Sequence, residues 1–196
     1  FTYSDKGDLQ SHVLREGTEL PPLVLDLLAR SCVANLAIAS MEGHGWEALT
    51  GQSGFQPLKG FSVVGLEWSV VVNGNCGVVV KNRDADYEAT FNAVDGVTAV
   101  CRFRDDGMIM EAEGMLSPDL MERMAQFAQW YRRLVSSNID LLSLFSQMRG
   151  WSPSRGWIAQ GAELTVCSTG NVVCLVENAQ GSLNEIMRAL GEAAHE

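Results

Sequence analysis

The segment LKGFSVVGLEWSVVVNGNCGVVVKN (58–82) runs parallel to SRGWIAQGAELTVCSTGNVVCLVEN (154–178) without a gap, at a constant offset of 96. Seven matched pairs set the frame: Pro57/Pro153, Gly60/Gly156, Gly65/Gly161, Glu67/Glu163, Gly74/Gly170, Asn75/Asn171 and Asn82/Asn178. With Val70/Val166, Val80/Val176 and Ala93/Ala189 they make 10 identities over 40 aligned positions. The openings also correspond, TYSDKGDL (2–9) resembling RFRDDGMI (102–109) at an offset of 100. A fixed internal period is read before any element, because it dictates the architecture. It predicts two copies of one unit, 1–94 and 95–196. The first should lack the start of its first strand, since Phe1 aligns with Cys101 and about six residues precede Cys101 in its copy.

Each copy predicts the element order ββαβββα. VTAVCRF (97–103) is β-branched and apolar, Arg104-Asp105-Asp106-Gly107 is a turn, and MIMEAEG (108–114) is the returning strand. Ser4-Asp5-Lys6-Gly7 is the matching turn of the first copy. Ser117-Pro118-Asp119 starts a helix: the hydroxyl can accept from free N–H groups, proline suits the first turn, and the carboxylate faces the positive end of the dipole. Leu120, Met124, Phe127, Tyr131, Leu134 and Val135 follow at helical spacing. In the first copy the helix should start at Pro21-Pro22 and run to about Met41, followed by a segment carrying Trp46 (Phe145 in the second copy). Three strands come next, the last two pairing across Asn73-Gly74-Asn75 or Thr169-Gly170-Asn171. A closing helix is expected near 84–94 and 182–194. No flexible linker separates the copies, so they should be docked.

Composition narrows the function classes. The net charge is −10, with 6 basic against 12 acidic residues in 1–95 and 8 against 12 in 96–196. No basic face is available to displace counterions from nucleic acid or to seek an anionic membrane. No uninterrupted apolar run reaches the roughly 18 residues of a membrane span. The five cysteines, Cys32, Cys76, Cys101, Cys167 and Cys174, form no C-x-x-C pair and lie in apolar stretches, a usage that suits a reducing cytoplasm. His12, His44 and His195 are far apart and do not repeat, so no metal site is read. No nucleophile elbow or phosphate-binding loop is present. The expectation is a protein without cofactor, metal or catalytic residues.

Three features together carry a family resemblance. They are the turn Asp105-Asp106-Gly107 with its acidic strand ending in Gly114, the rim Pro57-Leu58-Lys59-Gly60-Phe61, and the hairpin from Ser69 to Val80. With the element order, they resemble the roadblock (dynein light chain LC7-type) superfamily, in an uncharacterised bacterial branch. The resemblance spans both copies. It implies an α+β fold of two tandem roadblock-like units. Each would be a five-stranded antiparallel sheet with a long helix between strands two and three and a closing helix. It further implies that the copies dock as an internal pseudo-dimer sharing one sheet, which would remove an exposed edge. The implied function is that of a non-enzymatic scaffold or adaptor acting on protein partners, with regulation or tethering of a small GTPase or larger complex as a sharper form. A small-molecule sensor, with its ligand between helix and sheet, is the alternative.

Candidate contact residues follow from chemistry. Trp46, Phe61, Trp151 and Trp157 are core types, but their nearness to loop glycines could place them on an exposed rim as binding hot spots. The second helix carries Trp130-Tyr131-Arg132-Arg133 where the first has Ala34-Asn35-Leu36-Ala37, which makes Trp130 and Arg133 candidates for contacts that one copy alone could make. Asn75 and Asn171 sit beside turn glycines; they read as turn formers or as ligand contacts.

Overall fold

Two short turns, Gly74-Asn75 and Gly170-Asn171, close equivalent hairpins, and each glycine sits at φ +56°, a conformation costly to residues with a Cβ. In the computed structural model, which describes residues 1–15, 20–84, 97–146, 149–178 and 182–194, these hairpins belong to a single antiparallel sheet. The first copy contributes β1 (Thr2–Tyr3), β2 (Leu9–Ser11), α1 (Pro22–Thr50), β3 (Gly60–Val64), β4 (Trp68–Asn73) and β5 (Cys76–Lys81). The second contributes β6 (Val97–Phe103), β7 (Ile109–Gly114), α2 (Pro118–Ser146), β8 (Gly156–Gln160), β9 (Leu164–Thr169), β10 (Val172–Glu177) and α3 (Leu183–Ala194). Sheet order is β2-β1-β5-β4-β3-β8-β9-β10-β6-β7. The closing helix expected at 84–94 lies outside the described residues.

The two copies meet through β3 and β8. Gly60 pairs with Gln160, Ser62 with Ile158 and Val64 with Gly156. Ser62 and Ile158 differ by the repeat offset of 96, so equivalent residues face each other at the middle of the joint. Two further bonds extend the pairing: Lys59 N–H to the Gln160 carbonyl at 2.8 Å, and Arg155 N–H to the Val64 carbonyl at 2.7 Å. These two are also equivalents under the same offset.

Reciprocal loop contacts lock the joint. Leu66 N–H donates to the Trp151 carbonyl at 3.0 Å and Glu67 N–H to Gly150 at 2.6 Å. On the opposite side Glu163 N–H donates to the Gly54 carbonyl at 2.7 Å. Gly65 and Gly161 are required by this approach. A Cβ on the first would overlap the Trp151 backbone, and one on the second the Phe55 backbone. The prolines that follow, Pro57 and Pro153, both take cis peptide bonds.

Helices α1 and α2 pack over one face of the sheet. Their buried side chains, among them Leu28, Cys32, Trp46, Met124, Tyr131 and Ile139, meet Phe61, Val63, Val72, Trp157, Val166 and Val173. Helix α3 covers the opposite face of the second copy, where Leu183 and Leu190 meet Ile158, Cys167, Cys174 and Val176. Burial of this kind is the main stabilising term, at roughly 25 cal/mol per Å² of apolar surface.

Two sequence expectations are corrected here. Helix α1 does not end near Met41 but runs to Thr50, so Trp46 lies within it, and Phe145 likewise falls within α2. Gly43 and Gly45 weaken helix propensity there, but Trp46 is buried against Phe55 and Phe127, and tertiary packing overrides the local preference. Secondly, the stretch Pro22–Ala48 is long and apolar enough, by length and composition, to cross a membrane. Counting unbroken apolar residues missed it because Asp26 and Arg30 interrupt the run. In the fold, 39% of its most apolar window is buried, and the helix supplies Val24, Leu25, Leu28, Ala29, Cys32 and Ala39 to the core above the sheet.

Candidate functional site

Helices α1 and α2 run antiparallel over the joint, and two small voids lie beneath them. One is lined by Ser31, Asn35, Val63, Val70, Asn138 and Leu142. The other is lined by Phe127, Tyr131, Ala159, Val166, Glu42 and Trp46. Each residue of the first set matches one of the second at the 96 offset, so the voids are one site seen twice. Each holds about 10 Å³ of space for a water-sized body, too little for an organic ligand. Their polar groups differ. Asn138 Nδ2 donates to Asn35 Oδ1 at 2.7 Å in the first, whereas Glu42 and Tyr131 occupy the equivalent places in the second. Desolvation raises the Glu42 carboxyl above its ordinary range. Burial pushes the Tyr131 phenol up strongly, and the Glu42 charge adds to the effect.

Of the aromatic rim expected from sequence, the structure exposes none. Trp46 is 3% exposed, Phe61 1%, Trp151 0% and Trp157 1%. Trp157 packs edge-on against Tyr131 at 4.5 Å and against Phe127 at 6.3 Å. Ring packing buries Trp46 against Phe55 and Phe127, and Trp157 against Phe127 and Tyr131. Trp130 differs, being 46% exposed on the outer side of α2. Arg133 is also exposed, and its guanidinium donates to the Asp105 carbonyl at 3.4 Å. Asn75 is exposed and Asn171 half-buried. Their carbonyls accept from Tyr3 N–H at 3.1 Å and Phe103 N–H at 2.9 Å, fastening each turn to the copy's first strand.

The matched pair that sequence reading left without a role is Asn82/Asn178. Asn82 accepts from Ser69 Oγ at 2.8 Å and donates to the Gly65 carbonyl at 2.9 Å. Asn178 repeats this, accepting from Thr165 Oγ1 at 2.6 Å and donating to Gly161 at 3.0 Å. Each asparagine holds the glycine turn that receives the other copy's loop. Identity at a polar position in both copies was the available signal.

Among the described residues no three His, Cys, Asp or Glu side chains converge to hold a metal. The five cysteines are free thiols; Cys76 is exposed and the other four are buried. Desolvation pushes Cys32 and Cys101 up to about 12, and burial raises Cys167 as well. Such thiols stay neutral, which does not suit a nucleophile.

The outer side of α1 and α2 is a candidate contact surface. Ala34, Ala37 and Met41 are exposed along α1, and Trp130, Arg133, Leu141 and Leu144 along α2. Met41, Leu141 and Leu144 are 60%, 51% and 70% exposed, unusual for large apolar side chains with a packed sheet behind them.

A family model described as "Uncharacterized conserved protein (DUF2173)" matches twice, over residues 1–94 and 89–192. The chain belongs to the DUF2173 family. The two matches reproduce the tandem arrangement, one DUF2173 unit per repeat. Among curated proteins none matches this DUF2173 chain. Among solved structures, a Roadblock/LC7 domain from Streptomyces avermitilis is similar. The likeness has 16% sequence identity and a TM-score of 0.40, and covers 57% of this chain and 95% of that one.

Proposed function

We propose that this tandem DUF2173 chain acts by binding another protein, with its two units, 1–94 and 95–196, docked as an internal pseudo-dimer. The observation that carries this reading is the outer side of the paired helices. It presents Met41, Trp130, Leu141 and Leu144 to solvent above a sheet that already buries its core. Large apolar side chains exposed on one face of a folded chain are candidates for contact with a partner. Trp130 and Arg133 belong to residue types that dominate binding energy at interfaces. Both come from α2, and the corresponding positions of α1 are Ala34 and Ala37, so the surface is asymmetric although the fold is twofold. A partner would read one orientation of it.

The pseudo-dimer reading rests on the register at Ser62 and Ile158 and on the reciprocal loop contacts. With β3 and β8 paired to each other, neither copy needs a second chain to cover that edge. A monomer in the cytoplasm fits this arrangement and the five free thiols. The net charge of −10 favours a protein partner over nucleic acid or an anionic membrane. The small-molecule alternative is less favoured beneath the crossing of the two helices, where each void holds about 10 Å³.

The test is cross-linking in the native source with the full chain and a Trp130→Asp/Leu141→Asp variant. A stoichiometric partner linked to the native chain and absent from the folded variant supports the proposal. Capture that is the same for both, or no partner with either, overturns it.

A further inference from the structure

At the far end of the second copy's hairpin the structure holds a larger hollow, about 360 Å³, lined by Asp105, Arg132, Arg155, Trp157, Ser168 and Asn171 among others. Such a volume falls within the range of small-ligand sites, about 300 to 1,000 Å³. Its cationic groups are Arg132 and Arg155. Arg132 is partly committed, giving one bond to Asp105 Oδ1 at 3.0 Å and one to the Gly170 carbonyl at 3.3 Å. The exposed guanidinium of Arg155 forms no ion pair among the described residues. Trp157 also lines the hollow; it is 1% exposed, and its indole N–H is buried, so it reports on the site rather than contacting a ligand. Among the described residues two arginines and one aspartate line the hollow, in a chain whose net charge is −10.

We propose that this hollow binds one small oxyanion group, a phosphate or a carboxylate carried by a small molecule. An acceptor-rich, negatively charged group answers the two guanidinium groups, and the planar guanidinium fork matches a phosphate or a carboxylate with paired bonds. The first copy lacks the site. Its equivalent residues are Leu36, Lys59, Phe61 and Asn75, so neither arginine is present and one lysine is the sole cation among them. The remaining cation is also engaged, with Lys59 Nζ 3.4 Å from the Ala162 carbonyl. Binding is therefore one anion per chain. This inference uses different residues from the outer helical surface, and either can fail while the other stands.

The experiment follows the five indole N–H resonances of the full chain by NMR at constant ionic strength. Inorganic phosphate is titrated in one arm and acetate in the other. The Trp157 signal is assigned with Trp157→Phe, the residue the first copy carries. Saturable movement of that signal in either arm, weakened about tenfold by Arg155→Gln and unchanged by Lys59→Gln, is the expected result. The arm that saturates at the lower concentration identifies the group. No saturable movement in either arm, or equal binding by Arg155→Gln, overturns the proposal. Arg155 is exposed, so its replacement leaves the fold available for comparison.

Discussion

Asn138 and Asn35 join side chain to side chain at 2.7 Å across the crossing of α1 and α2, at the place where the equivalent residues are Glu42 and Tyr131. Asn35 Nδ2 also donates to the Ser31 carbonyl at 2.8 Å, so the pair sits in a chain of bonds. Asn35 is 6% exposed, and removing its partner strands its amide oxygen. Asn138→Ala should cost about 1–3 kcal/mol in urea unfolding, the penalty for an unsatisfied buried group. The double variant Asn35→Leu/Asn138→Leu should recover much of the loss, because both polar groups then leave together. A single-variant cost within error of zero would show that the pair contributes nothing to the docking of the helices.

Glu42 predicts a pH effect with a definite sign. Desolvation raises its carboxyl above the ordinary value, so the folded state disfavours the charged form. The stability linked to a raised carboxyl is fully present below its unfolded pKa and falls as pH rises through the folded one. Glu42→Gln should therefore melt higher than the native chain at pH 7. The difference should shrink to nothing as pH falls below the usual carboxylate range. Equal melting temperatures at pH 7 would contradict the assignment of a desolvated carboxyl.

The loop exchange gives a steric prediction. Gly65→Ala and Gly161→Ala each place a Cβ into backbone of the other copy, which has no flexible end to move aside. Each should destabilise the chain by about 1–3 kcal/mol, the usual cost of overpacking, or by more if the loop is expelled. Gly45→Ala is the control. Nothing lies within 4 Å of its Cβ position, and alanine is the better helix former. Differential calorimetry should show two losses and one gain.

Much of this architecture was legible because it is written twice. The offset of 96 located β3 to β5 and β8 to β10, and the expected turns fall between their last two strands at Gly74-Asn75 and Gly170-Asn171. The glycines Gly65 and Gly161 could be matched but not explained, since their reason is a loop 86 residues distant for Gly65 and 106 for Gly161. The same holds for Trp151 and Trp157. Their residue types allowed rim or core, and tertiary packing decides for core, for Trp157 against Tyr131 and Phe127 of α2. The site was less legible than the fold. Arg132 stands in sequence only as part of the stretch Trp130-Tyr131-Arg132-Arg133, and its meeting with Arg155 and Trp157 joins a helix, a loop and a strand that no spacing rule connects.

The last prediction concerns the thiols. Cys76 is exposed, while Cys32, Cys101, Cys167 and Cys174 are buried in the two cores. Burial holds Cys32 and Cys101 near 12, so their thiolate fraction at pH 8 is negligible, and alkylation requires both ionisation and access. Intact-mass measurement after brief iodoacetamide treatment at pH 8 should find one adduct on the native chain, removed by Cys76→Ser, and five adducts in denaturant. The raised thiols also imply a linkage at high pH. Their neutral form favours the fold, so the stability they contribute is complete below about pH 9 and is lost as pH climbs toward about 12. Rapid modification of two or more cysteines in the native chain at pH 8 would mean that a core opens on the timescale of the reaction, and the packed sheet described here would have to be relaxed to admit it.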